Sequence, residues 1–322
     1  LKILSFLICL AIIVFSKPAI SPVTHDYQAY HAQINTAEKY LSEERFQESF
    51  DQYMLVFASV DFVFLRDYKV AAQLAFHLGE EQKAFDLIEK GIKAGWILKD
   101  IKQNDYLAEL HATQQWAEME EAYPALRGAY LESLKLDLRE QVHQMFKKDQ
   151  RKAFGALFRI GDKARDRYAI KKFAPHSQVQ IQQFIKILET CGYPGEQLIG
   201  NDFWMSTILS HHNSIATDYV NKDTVYDYLR PKLLIAVKRG QLSPYEFALI
   251  DDWYITVSTN GTQPGYGFLN PLHDSTLVQT NAIRKAIGLR SIELRNALVK
   301  VEEKTGMRFY LPDWVEGEIE IE

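Results

Sequence analysis

The residues best equipped for chemistry are two adjacent pairs and one loop: His211-His212, Asp251-Asp252, and the glycine-rich run from Thr259 to Gly267 that carries Gln263. Ile208 stands three and four residues before the two histidines, and residues so spaced share a helical face, so both imidazoles lie near a buried stripe. Neighbouring helical residues point about 100° apart, as 3.6 residues per turn require. That makes the pair a poor ligand set for one metal, and the HExxH spacing is absent, so no metal or cofactor is expected. An imidazole becomes a useful base when a carboxylate orients it. Asp251 or Asp252, on a helix whose apolar positions include Phe247, Ile250 and Trp253, is placed to turn inward and orient His211 or His212. The Gln263 loop would then hold developing negative charge. The plainer alternative makes His211 a hydrogen-bonded core residue and lets both aspartates cap a loop or meet Arg230 or Arg239. No GxSxG elbow or phosphate-binding GxxxxGK[ST] is present, and Cys191 has no sequence-local histidine partner.

The elements that must position these residues are helices, and the pattern predicts an all-α chain. From Ala32 to Tyr123 there is no proline and little glycine. Glu44-Arg45-Phe46-Gln47-Glu48-Ser49-Phe50 aligns with Gly79-Glu80-Glu81-Gln82-Lys83-Ala84-Phe85 at an offset of 35 residues. Small residues at these places let the two helices of a hairpin approach, and aromatics fill the space to the next hairpin. Ala75, Leu78-Gly79 and Ala84-Phe85 carry the pattern, which resembles tetratricopeptide repeats. Glu44 and Ser49 depart from it, standing where Gly and Ala are usual. The stretch from Gly95-Trp96 through Leu110 to Trp116 is similar to the segment that closes such arrays. The resemblance implies a short array over residues 26–128 that binds a peptide or protein on the face of its first helices. Two repeats leave an open end, which a neighbouring domain is expected to cover.

Leu131, Leu134, Leu138, Val142, Met145 and Phe146 describe one amphipathic bridging helix over residues 129–160. A second helical domain over 161–322 follows, packed against the array. Lys171-Lys172-Phe173-Ala174-Pro175 reads as an exposed loop, and Ser243-Pro244-Tyr245-Glu246 as a helix start with a reciprocal cap. The tail after Met307 is expected to hold one short extended segment. Within this half, Asp149-Gln150-Arg151, Gly192-Tyr193-Pro194, the His211 helix and Asp251-Asp252 with Gly261 to Gly267 are similar to a bacterial domain family that has no established function. Tyr193 here replaces that family's Trp, and Asp252-Trp253 its Asp-Arg pair.

The formal net charge is -5, which gives no reason to expect a nucleic-acid partner. Lys147-Lys148 with Arg151, and Lys171-Lys172, read as short solvated patches. Ile3 to Phe15 is apolar but for Ser5, too short for a membrane span of roughly 20 residues. Residues 1–20 therefore read as a signal peptide or membrane anchor, which predicts an exported, periplasmic or cell-envelope protein touching membrane only through an uncleaved N-terminal segment. Two functions stay open: a peptide- or protein-binding repeat protein, and a hydrolase or modifying enzyme with a His/Asp cleft.

Overall fold

The computed structural model describes residues 26–311, 315 and 317–322; the expected leader lies outside the described residues. Among these the chain is all-α and forms no sheet; a single bridge pairs Leu272 with Ile321.

Two helical hairpins come first: α1 (Tyr27–Ser42) with α2 (Phe46–Phe57), and α3 (Leu65–His77) with α4 (Glu81–Lys93). Asp26 caps α1 by accepting from the Gln28 amide at 2.9 Å. Tyr27, Tyr30, Ile34, Ala37 and Leu41 are buried along one stripe. Where the second hairpin closes on the small residues Ala71, Ala75 and Ala84, all buried, the first uses Ser49, whose hydroxyl donates to the Ala37 carbonyl at 2.8 Å. The 35-residue offset reappears in the backbone. Gly79 turns with φ +75°, and Glu44, its counterpart, turns with φ +58°, a left-handed conformation that disfavours residues with a Cβ.

After α5 (Leu98–Lys102) and a 3₁₀ stretch (Asp105–Ala112), α6 (Gln114–Ser133) packs on α4. The single bridging helix expected over 129–160 is corrected here. Residues 129–133 finish α6, the chain breaks into extended backbone at Leu134, and α7 (Leu136–Leu157) begins anew. The apolar period runs through this break because Leu134 and Leu138 are both buried; periodicity reports the face, not the continuity. A second correction concerns residues 171–175. After α8 (Asp162–Tyr168), a π-helical turn (Ala169–Phe173) runs straight into α9 (Ala174–Cys191). Pro175 sits in the first turn of α9, just after the π-helical turn, whose widened hydrogen-bonding pattern accommodates a residue with no N–H to donate.

The remaining helices are α10 (Glu196–Ile199), α11 (Trp204–Asn213), α12 (Thr217–Val220), α13 (Val225–Lys238), α14 (Pro244–Ser258), α15 (Asp274–Ala286) and α16 (Ile292–Thr305). Ser243 caps α14, accepting from the Glu246 amide at 3.2 Å. Helices α7, α9, α11, α13 and α14 share a core that includes Val142, Phe184, Ile208, Leu229 and Phe247. The core of the two hairpins instead recruits the end of the chain: Leu298, Val301, Met307 and Phe309 join it, and α16 packs on α1. The two hairpins are thus packed against the chain's own C-terminal part.

Candidate functional site

The pairs singled out from sequence fall into separate networks. Helices α11 and α14 do pack together, joined by Asn213, whose side-chain amide donates to the Ile250 carbonyl at 2.9 Å. Yet among the described residues no hydrogen bond or ion pair connects either histidine to Asp251, Asp252 or Gln263. Asp251 is buried under Arg230, which donates from Nε at 2.9 Å and Nη2 at 2.8 Å, and under the hydroxyls of Tyr226 (2.8 Å) and Tyr266 (3.1 Å). Asp252 accepts the amides of Tyr266 (2.5 Å) and Phe268 (2.9 Å), stapling the 264–268 turn. A Cβ at Gly265 would stand 1.9 Å from its carboxylate, which explains the glycine there. Burial pushes the Asp252 carboxyl up to about 7 against the opposing pull of those amides. Gln263 is exposed and contributes its main-chain carbonyl, which accepts from Asn270 at 2.6 Å. The expected orientation of a histidine by Asp251 or Asp252 is therefore corrected: both carboxylates do turn inward, but one meets Arg230 and the other caps a loop, the partners of the plainer alternative.

Each histidine has a different acid. His211 Nδ1 bonds Asp149 Oδ2 at 2.5 Å, and Asp149 is fully buried while the imidazole stays partly exposed beside a cavity of about 140 Å³ lined by Tyr168, Phe173 and Ile215. His212 Nε2 bonds Asp223 at 2.9 Å and its Nδ1 bonds the Ser177 hydroxyl at 2.9 Å. The carboxylate can only accept, so Nε2 carries a proton, and in the neutral ring Nδ1 then accepts from Ser177. Serine, histidine and aspartate stand in the order of a hydrolytic relay, but Ser177 and His212 are buried, and it is Asp223 that borders a cavity. The trio ties α9, α11 and the start of α13 together. Burial raises the Asp223 carboxyl, but the bonds from His212 and from the amides of Val225 and Tyr226 outweigh it and hold it below its ordinary range.

The densest convergence of buried charge lies elsewhere, where the hairpins meet the C-terminal part. Glu38 of α1 is fully buried between two guanidiniums: Arg290 donates to it from Nε at 2.6 Å and Nη2 at 2.7 Å, and Arg66 of α3 donates from Nη1. Arg66 also bonds Asp67, whose other oxygen accepts from the Tyr30 hydroxyl at 2.5 Å. Arg66 and Arg290 line a cleft of about 110 Å³ with His31, Glu196 and Tyr245. Phe203 stands at its wall with φ +53° and a ring 44% exposed, next to the Tyr245 ring; strained, exposed residues of this kind gather at functional positions. Burial pushes Glu196 up to about 8, against the opposing bond from the Leu65 amide, so the cleft holds it as a neutral acid at pH 7. Burial likewise depresses His31 to about 3, which leaves its ring neutral.

Arg66 also reaches the other way, onto a non-helical stretch of backbone that turns left-handed at Tyr310, with φ +50°. Its Nε donates to the Phe309 carbonyl at 2.9 Å. One turn or two along the same helix, Gln73 takes both main-chain groups of Arg308: its amide donates to the carbonyl at 2.7 Å and its oxygen accepts the N–H at 2.9 Å. Lys69 lies 4.8 Å over the Tyr310 ring, and Asn104 donates to the Tyr310 hydroxyl at 3.0 Å. Residues Met307 to Leu311, without helical structure, are thus held along α3 like a peptide in a groove, with Met307 and Phe309 buried. The sequence offered a signal for this site. Glu38, Asp67 and Gln73 are polar residues on otherwise apolar helix faces, and a buried polar residue is the informative exception.

No protein-family model matches the chain, and no curated protein or solved structure matches it.

Proposed function

We propose that the chain is a binding scaffold of the tetratricopeptide type whose first helices grip an extended peptide segment, and that its own residues Met307 to Leu311 occupy that groove. The observation that carries this reading is the Gln73 pairing with both main-chain groups of Arg308. Side chains that bind backbone groups recognise an extended chain whatever its sequence, while apolar pockets such as those holding Met307 and Phe309 add selectivity. The equivalent left-handed turns at Glu44 and Gly79 support the repeat reading. The apolar run in residues 3–15 supports a place outside the cytoplasm. A partner segment would replace residues 307–311 and extend into the cleft beyond Arg66, whose buried Nη2 finds no acceptor among the described residues.

The test uses the full chain carrying Phe309→Asp, which loosens the resident segment, and a labelled peptide of sequence Thr-Gly-Met-Arg-Phe-Tyr-Leu, that of residues 305–311. Saturable binding at roughly micromolar peptide, abolished by adding Gln73→Ala, is the expected result. A folded variant, by circular dichroism, that ignores the peptide would refute the groove.

A second reading rests on His211, whose Asp149-oriented ring borders an open cavity as a general base would. The hydroxyls that share this cavity are engaged elsewhere, Ser214 donating to the His211 main-chain carbonyl at 3.0 Å and Tyr168 to the Lys152 carbonyl at 2.9 Å, which is why binding is preferred. Ester or phosphoester turnover that vanishes in both His211→Gln and Asp149→Asn would reverse that preference.

A further inference from the structure

The two short basic runs read from sequence as unrelated patches are brought together by the fold. Helix α8 and the π-helical turn fold back on α7, so residues 147–172 make one projecting hairpin. It holds ten lysines and arginines against three aspartates, a net of +7 in a chain whose formal charge is -5. All ten basic residues are exposed. The hairpin is a built unit: Tyr168 donates to the Lys152 carbonyl at 2.9 Å, the Arg159 guanidinium lies 5.2 Å over the Tyr168 ring, and a Cβ at Gly155 would stand 2.0 Å from the Tyr168 hydroxyl.

Its tip is apolar and uncovered. Phe158 is 69% exposed and Ile160 96%, with Phe154 beneath them, its ring 5.2 Å from that of Phe158. Ile170, on the returning arm, is also exposed. Ile170 borders a cavity with Asp218 and Tyr219, whereas Phe158 and Ile160 stand at the turn between α7 and α8. The exposed Arg159 and Lys163 flank this tip, and an exposed apolar tip among cations is complemented by a medium that deforms around it.

We propose that the 147–172 hairpin docks on an anionic lipid surface, with Phe158 and Ile160 inserted among the acyl chains near the headgroups and the surrounding lysines and arginines on lipid phosphates. Interfacial segments combine these two features: apolar area enters the headgroup boundary, while each nearby cation adds attraction to anionic lipid. Lysine and arginine stems lie along apolar surface with their charged ends outward. The rest of the chain carries the opposite charge balance, so an anionic surface repels it and orients the molecule hairpin-first. This contact is separate from any insertion of residues 1–20 and from the peptide groove.

The test places a local reporter in the full chain. The variant Ile160→Trp, with the wild-type signal subtracted, is mixed with vesicles of phosphatidylglycerol and phosphatidylcholine brominated on their acyl chains, and with brominated phosphatidylcholine alone. Emission from the introduced indole is expected to shift to shorter wavelength and be quenched by the anionic vesicles only, with the effect lost at high salt. Lys163→Gln with Lys171→Gln, both at exposed positions, should weaken partition about thirtyfold, as the loss of two surface cations implies. An unquenched reporter on vesicles to which the chain binds would overturn the proposal. So would equal quenching by neutral vesicles, or a reporter shift produced by an oligonucleotide and not by anionic vesicles.

Discussion

Glu196, half-buried in the cleft, shows what one partly desolvated carboxyl does to the pH behaviour of the whole chain. Its pKa rises from 4.5 to about 8 because burial disfavours the charged form. The folded chain therefore keeps a proton that the unfolded chain has released, and the stability this group contributes is full below about pH 4.5 and lost as pH rises through about 8. Glu246 and Asp252, each raised to about 7 by burial, act in the same direction. Glu196→Gln keeps an acceptor for the Leu65 amide, which Glu196 accepts at 2.6 Å, and removes the titration. Thermal unfolding should show variant and wild type alike at pH 4 and the variant higher by roughly 5 °C at pH 8; an unchanged difference across pH would contradict the assignment. At this scale the sequence was half legible. Arg230 could be named as a partner for an aspartate because it lies a few turns away on a neighbouring helix. Asp149 could not be assigned to His211, since 62 residues separate them and no local spacing encodes such a meeting.

At the scale of elements, the two helical hairpins were readable because the 35-residue period and the small residues at helix crossings are local properties. The break at Leu134 and the π-helical turn before α9 were not. In both places the apolar stripe continues while the backbone changes hydrogen-bonding pattern, and a periodicity argument sees only the stripe. The charge cluster that joins elements was also hidden: Glu38, Arg66 and Arg290 come from α1, α3 and the turn before α16. Removing the shared carboxylate leaves two guanidiniums at the junction without it. Glu38→Gln is expected to destabilise the chain by about 3–5 kcal/mol, measured by urea unfolding. A loss below about 1 kcal/mol, the worth of an exposed pair, would mean that water reaches the cluster and that it does not fasten the hairpins to the C-terminal part.

For the whole molecule, the short stack of hairpins is completed by its own chain. Its core takes in Leu298, Val301, Met307 and Phe309, and Gln28 and Asn35 of α1 donate to the carbonyls of Ala286 and Gly288 at 3.1 and 3.0 Å. Packing of the hairpins against a later part of the chain was expected from their small number. Which part was not legible, because it returns from more than two hundred residues away. Whether the resident segment is a removable occupant or a permanent part of the core separates a binding groove from a structural seam. Amide hydrogen exchange at Arg308 and Phe309, compared with Leu74 in α3, decides this directly. A groove predicts that the two tail amides exchange through a local opening at least about 2 kcal/mol below global unfolding, while Leu74 waits for the whole chain to unfold. Exchange of all three amides only through global unfolding would contradict the account.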